Sequence, residues 1–169
     1  MPGARAGLAT VMVLAALALQ VAILARLPLP GATPDLVLLV VVGLALAHGP
    51  RFGLVTGFLA GLAVDLVPPA DHEVGRWAFV LTLVGYLAGL AHAEGRRSAV
   101  GRLAVVAAAA AGSVLLFAGL GAVIGDPAVT WSAVSRLLTT SVAYAAFLGA
   151  FALPVVFAAV SRVEPEPVR

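Results

Sequence analysis

The sequence predicts an all-α membrane protein of about six transmembrane helices, and three observations predict it. Of 169 residues, 62% are hydrophobic and 11% are charged, against about 25% charged in a soluble domain. So little polar surface cannot cover a globule in water. The apolar residues fall into six runs, each closed by a stretch holding proline, glycine or charge. The arginines segregate once those runs are threaded back and forth across a bilayer. Residues 1–160 read as a single polytopic domain, and the proline-containing end, 161–169, as a disordered cytoplasmic tail.

The first run, Leu8 to Leu24, is broken only by Thr10 and Gln20 and reads as a transmembrane helix rather than a signal peptide. Arg26 to Pro34 holds three prolines and a glycine and is a loop. Pro34 and Asp35 then start a helix, the acid favoured at the positive end of its dipole. Leu36 to Ala47 is short for a span, and His48-Gly49-Pro50-Arg51 stops it with a cation, a residue suited to a left-handed cap, and proline. Phe52 to Val67 is also short and ends at Pro68-Pro69. Two crossings are favoured over a re-entrant hairpin, because Arg51 in the tight turn would otherwise lie deep in lipid.

A polar loop with Asp71, His72 and Glu73 leads to Trp77–Ala91, the fourth helix. The most basic loop, with Arg96, Arg97 and Arg102, precedes an alanine-rich fifth helix, Leu103–Ile124. Gly125-Asp126-Pro127 is a turn. The sixth helix, Leu137–Val160, opens on Thr139-Thr140-Ser141 and is kinked or ended near Pro154. Six crossings put both termini on one side with seven of ten arginines: Arg5, Arg51, Arg96, Arg97, Arg102, Arg162 and Arg169. That side is the cytoplasm by the positive-inside rule. Arg26, Arg76 and Arg136 fall outside.

The most specific pattern is Gly53, Gly57, Gly61 and Asp65, each four residues from the last. On a helix they form one stripe. Glycine gives up about 1 kcal/mol of helix propensity relative to alanine, so three on one face should serve a close approach of backbones. In lipid such packing is what holds helices together. Gly85 and Gly89 repeat the spacing in the fourth helix. The stripe can pack within the chain or dock a partner's transmembrane helix. Asp65 reads either as a hydrated helix end or as a contact to Arg76, Arg136 or a partner. Gln20 and the Thr139–Ser141 patch either line a cavity or bond a neighbouring helix.

Other classes find little support. There is no cysteine, which excludes disulfides and thiolate metal sites. His48, His72 and His92 fall in three different loops and read as solvated. No metalloprotease, nucleophile-elbow or phosphate-loop motif occurs. The basic excess is too small for nucleic acid. The chain therefore reads as a non-enzymatic protein without cofactor or metal.

These residues resemble the rod shape-determining MreD family in its actinobacterial form. The likeness runs through PDLVLLVVVGLALAHGPRFGLVTGFLAGLAVDLVPP and GRWAFVLTLVGYLAG. It rests on Pro34-Asp35, Gly49-Pro50-Arg51, the glycine stripe, Asp65 before the proline pair, and Gly85–Gly89. The resemblance implies a multi-pass inner-membrane component of the cell-elongation machinery. It also implies association with the transmembrane helix of MreC and other membrane proteins of that complex, linking MreB filaments to peptidoglycan synthases. The implied fold is that of the substrate-binding subunit of energy-coupling-factor transporters. A small-molecule-binding transporter subunit is the alternative reading; it requires a polar, aromatic-lined outer pocket, for which Trp77, Tyr86, Trp131 and Tyr144 are the candidates.

Overall fold

The computed structural model describes residues 2–28, 30–67, 74–93, 98–127 and 129–163. Among them are six α-helices: α1 Pro2–Ala22, α2 Leu36–His48, α3 Pro50–Leu66, α4 Arg76–Leu90, α5 Ala99–Ile124 and α6 Trp131–Val163. A single 3-10 turn, Leu24–Arg26, follows α1. The Pro68-Pro69 stop, the loop with Asp71, His72 and Glu73, and Arg96, Arg97 and Arg169 lie outside the described residues.

Three helices are long and apolar enough to cross a membrane, α5, α6 and the segment Gly3–Arg26 containing α1. The middle of the chain is shorter. At about 1.5 Å per residue, the 13 residues of α2 rise only about 20 Å. Its Val37–Leu46 segment is buried throughout. A helix apolar on every side belongs in the centre of a protein or a membrane, and α2 is packed by all five other helices. On α1, by contrast, Ala9, Val13, Ala16 and Leu17 are buried while Val11, Leu14 and Leu19 are exposed. That is one face of a helix turned inward.

Local chemistry sets the boundaries. Asp35 caps α2, its Oδ1 accepting from the Leu38 amide at 2.9 Å. Gly49, at φ +92°, is the whole connection between α2 and α3. Only glycine takes that conformation without steric cost, and Pro50 follows at the first helical turn. Two helices begin earlier than their apolar runs. Ser98 Oγ accepts from Gly101 N at 2.8 Å and starts α5 at Ala99 rather than Leu103. Thr130 Oγ1 accepts from Ala133 N at 3.3 Å and starts α6 at Trp131 rather than Leu137. Both are N-caps hidden in polar stretches that read as loop.

α6 also runs past its expected limits. It continues through Pro154 and on to Val163, so the first three residues of the expected tail are helical. Residues 164–169 lie outside the described residues. The helices alternate in direction. Gly53 of α3 lies against Gly85 of α4 and Gly61 against Ala78, and the Arg102 guanidinium near the start of α5 lies 4.8 Å from the Phe157 ring near the end of α6. The start of α1 and the end of α6 therefore share one end of the bundle. The α1–α2, α3–α4 and α5–α6 connections share the other.

Candidate functional site

Both glycine motifs are consumed by a single seam inside the chain. A Cβ on Gly53 would overlap the Gly85 carbonyl oxygen, one on Gly57 the Leu81 carbonyl, and one on Gly61 the Trp77 carbonyl. From the α4 side, a Cβ on Gly85 would strike the Gly53 carbonyl and one on Gly89 would strike Pro50 Cα. Backbones so close gain dispersion contacts along their length, which is the interaction that remains when lipid removes the hydrophobic drive. The groove that a partner's helix was expected to enter is filled by α4. A leucine at Gly57 would therefore break the fold before it could report on docking. The sequence pattern was two-sided, and the order of helices decided which side it serves.

Asp65 ends the stripe in a way sequence spacing could not specify. It is 1% exposed, and its carboxylate accepts from the backbone amides of Gly75 at 2.9 Å, Trp77 at 3.1 Å and Ala78 at 3.0 Å. α4 starts after Gly75, which offers no capping side chain, so its first amides lack partners. Asp65 supplies the cap from the neighbouring helix. Its charge opposes the dipole at the end of α3 but suits the start of α4. Of the two readings open to Asp65, the hydrated helix end is corrected: the carboxylate is sealed in and clasps the two helices at the end where α3 stops and α4 starts.

Arg76, read from sequence as an outer-side cation, turns into the bundle and is 7% exposed. Its Nε and Nη2 donate to the Phe117 carbonyl at 3.2 and 2.7 Å, and Nη1 meets Asp126 Oδ2 at 3.2 Å. The guanidinium lies 3.7 Å from the Phe117 ring centroid, close enough for a cation–π contact. Gly121 makes room, since a Cβ there would strike Arg76 Nη2. These residues tie α4 to α5 and were missed because Asp126 read as part of a turn and Phe117 as one more apolar residue of the fifth helix.

Beside this cluster lies a cavity of about 470 Å³, lined by Gln20, Asp35, Arg76, Trp77, Asp126 and Ser141 among others, within the roughly 300–1,000 Å³ of small-molecule pockets. The α1–α2 connection forms part of its wall. Thr140 Oγ1 accepts from Ala32 N at 2.9 Å, and Tyr144 Oη donates to the Pro30 carbonyl at 3.1 Å. Gln20 Oε1 accepts from Val37 N at 3.2 Å. Gln20 therefore both bonds a neighbouring helix and lines a cavity, as does the hydroxyl patch through Thr140 and Ser141.

At the opposite end His48 and His92 are engaged rather than solvated. His92 Nδ1 bonds the Leu46 carbonyl. His48 Nδ1 lies 3.2 Å from the Leu44 carbonyl, and its ring packs 4.5 Å from that of Phe52. Arg51 in the α2–α3 turn is exposed. A second, apolar cleft of 250 Å³ runs between α1 and α3, with Ala9, Val13, Thr56, Ala60 and Ala63 on its walls.

A family model described as rod shape-determining protein MreD matches residues 5–160. Neither the curated proteins nor the solved structures give a match. The match reaches into all six helices, and the three long apolar ones fit an inner-membrane protein. The chain belongs to the MreD family of rod shape-determining proteins.

Proposed function

We propose that this chain is a non-enzymatic, multi-pass scaffold of the cell-elongation machinery, with six crossings and both termini in the cytoplasm. It binds the transmembrane helix of MreC and, with other membrane proteins of that complex, helps link MreB filaments to peptidoglycan synthases. Family membership supports a role in cell shape and disfavours the transporter-subunit reading.

The observation that carries the partner contact is the cleft between α1 and α3. The glycine face of α3 is used up on α4, but its other side sets Thr56, Ala60 and Ala63 along the floor of the cleft beside Ala9 of α1, with Val55 exposed at its edge. Small side chains on both walls allow a third, apolar helix to approach closely. Leu14 and Leu59 rim the cleft and are exposed.

The test is co-purification of MreC with variants that fill the cleft from its exposed edge, Thr10→Trp and Val55→Trp, at unchanged insertion and melting temperature. Capture is expected to fall. Ala108→Trp in the α4–α5 groove serves as the control; loss of capture there, and not in the cleft, would move the docking face. Sidedness is tested separately with single cysteines at Ser98 and Val129 in this cysteine-free chain. A membrane-impermeant thiol reagent is expected to label Val129 and spare Ser98 in intact cells, and the reverse result would invert the topology.

A further inference from the structure

Among its described lining residues, the cavity at the connection end carries more acidic than basic groups. It is lined by two carboxylates, Asp35 and Asp126, and by one guanidinium, Arg76. Arg76 is already committed to Asp126, to the Phe117 carbonyl and to the Phe117 ring. Asp35 gives Oδ1 to the Leu38 amide and is also approached by the Val37 amide and the Gln20 side chain; among the described residues these neutral groups are its partners, and none is a cation. A half-buried carboxylate held by neutral hydrogen-bond donors still gains from a counter-charge, which a bound cation would supply. The other walls suit an organic cation better than a metal ion. Trp77 contributes an aromatic surface, the best of the side chains for attracting an ammonium group. Val114, Val134 and Leu137 would cover an apolar body.

We propose that this cavity binds an organic ammonium group, with Asp35 as its counter-charge and Trp77 as its aromatic wall. The site is independent of the MreC contact proposed above, since the cavity and the α1–α3 cleft share no lining residue. The ammonium can come from a free amine or from the headgroup of an aminophospholipid reaching the open side of the cavity.

The experiment uses the full chain in detergent with Trp131→Phe, which leaves Trp77 as its one tryptophan. Trp77 emission is followed during titration with ethanolammonium chloride, with ethylene glycol as the neutral analogue and sodium chloride holding ionic strength constant. The same protein is reconstituted in vesicles of phosphatidylglycerol with or without phosphatidylethanolamine. A saturable change with ethanolammonium assigns a free amine; a change confined to phosphatidylethanolamine vesicles assigns the lipid headgroup. Asp35→Asn keeps a good helix cap and is expected to weaken either response by about tenfold or more. Ala133→Leu, which fills the cavity without touching a charge, is expected to weaken it as well. No response to either ammonium source, an equal response to ethylene glycol, or binding unchanged in both variants would overturn the proposal.

Discussion

Gly53 and Gly85 face one another across the α3–α4 seam so closely that neither has room for a methyl group. A Cβ on either would overlap the carbonyl oxygen of the other. Because the obstruction is backbone on both sides, no rotamer change can relieve it. The two helices are held in one register by the absence of side chains.

This register makes the first prediction. Gly57→Ala drives a methyl group into the Leu81 carbonyl and is expected to destabilise the protein by about 1–3 kcal/mol or more, as overpacking does. Gly112→Ala on α5 meets nothing within 4 Å. It should be neutral or stabilising by up to about 1 kcal/mol, through helix propensity alone. Thermal unfolding of the two variants in detergent checks the contrast, and equal effects would show that the seam is not tight.

Asp65 tests the clasp between the same helices. Asp65→Ala leaves the amides of Gly75, Trp77 and Ala78 without their acceptor, at a cost of about 2–3 kcal/mol. Asp65→Asn keeps one carbonyl oxygen and should lose less. Amide hydrogen exchange at Trp77 and Ala78 is expected to quicken in the alanine variant, while the amides in the middle of α5 keep their protection.

Gly121 and Arg76 should behave as one unit. Gly121→Ala presses on Arg76 Nη2 and on Val129, so it is expected to displace the guanidinium from Asp126 and destabilise the wild-type background. In an Arg76→Met background the same substitution meets no guanidinium and should cost less. A double-mutant cycle is expected to give a coupling of about 0.5–3 kcal/mol; strict additivity would refute the contact.

Thr140 pins the α1–α2 connection to α6. Thr140→Val removes the acceptor for the Ala32 amide and is expected to cost about 0.5–1.5 kcal/mol. Exchange at Ala32 should rise, and Thr140→Ser should restore protection because the hydroxyl returns.

Much of this was legible in the chain. Apolar runs closed by proline, glycine and charge located all six helices, because a helix that satisfies its own backbone is the form a lone segment takes in lipid. Asp35 could be read as a helix start and Gly49-Pro50 as the stop between two helices, because each acts on its immediate neighbours. The caps at Ser98 and Thr130 were passed over because arginine, glycine and hydroxyl residues around them lower the local hydropathy.

The sequence by itself determined that glycines at every fourth position must meet another backbone, since spacing along a helix is a local property. Only the tertiary structure decided that this backbone is α4, that Asp65 caps α4 rather than facing water, and that Arg76 points inward to Asp126. Each of those joins residues from different helices, and the free energy of such contacts depends on which helices are neighbours. Hydropathy marks where each helix lies along the chain but carries no information about that choice.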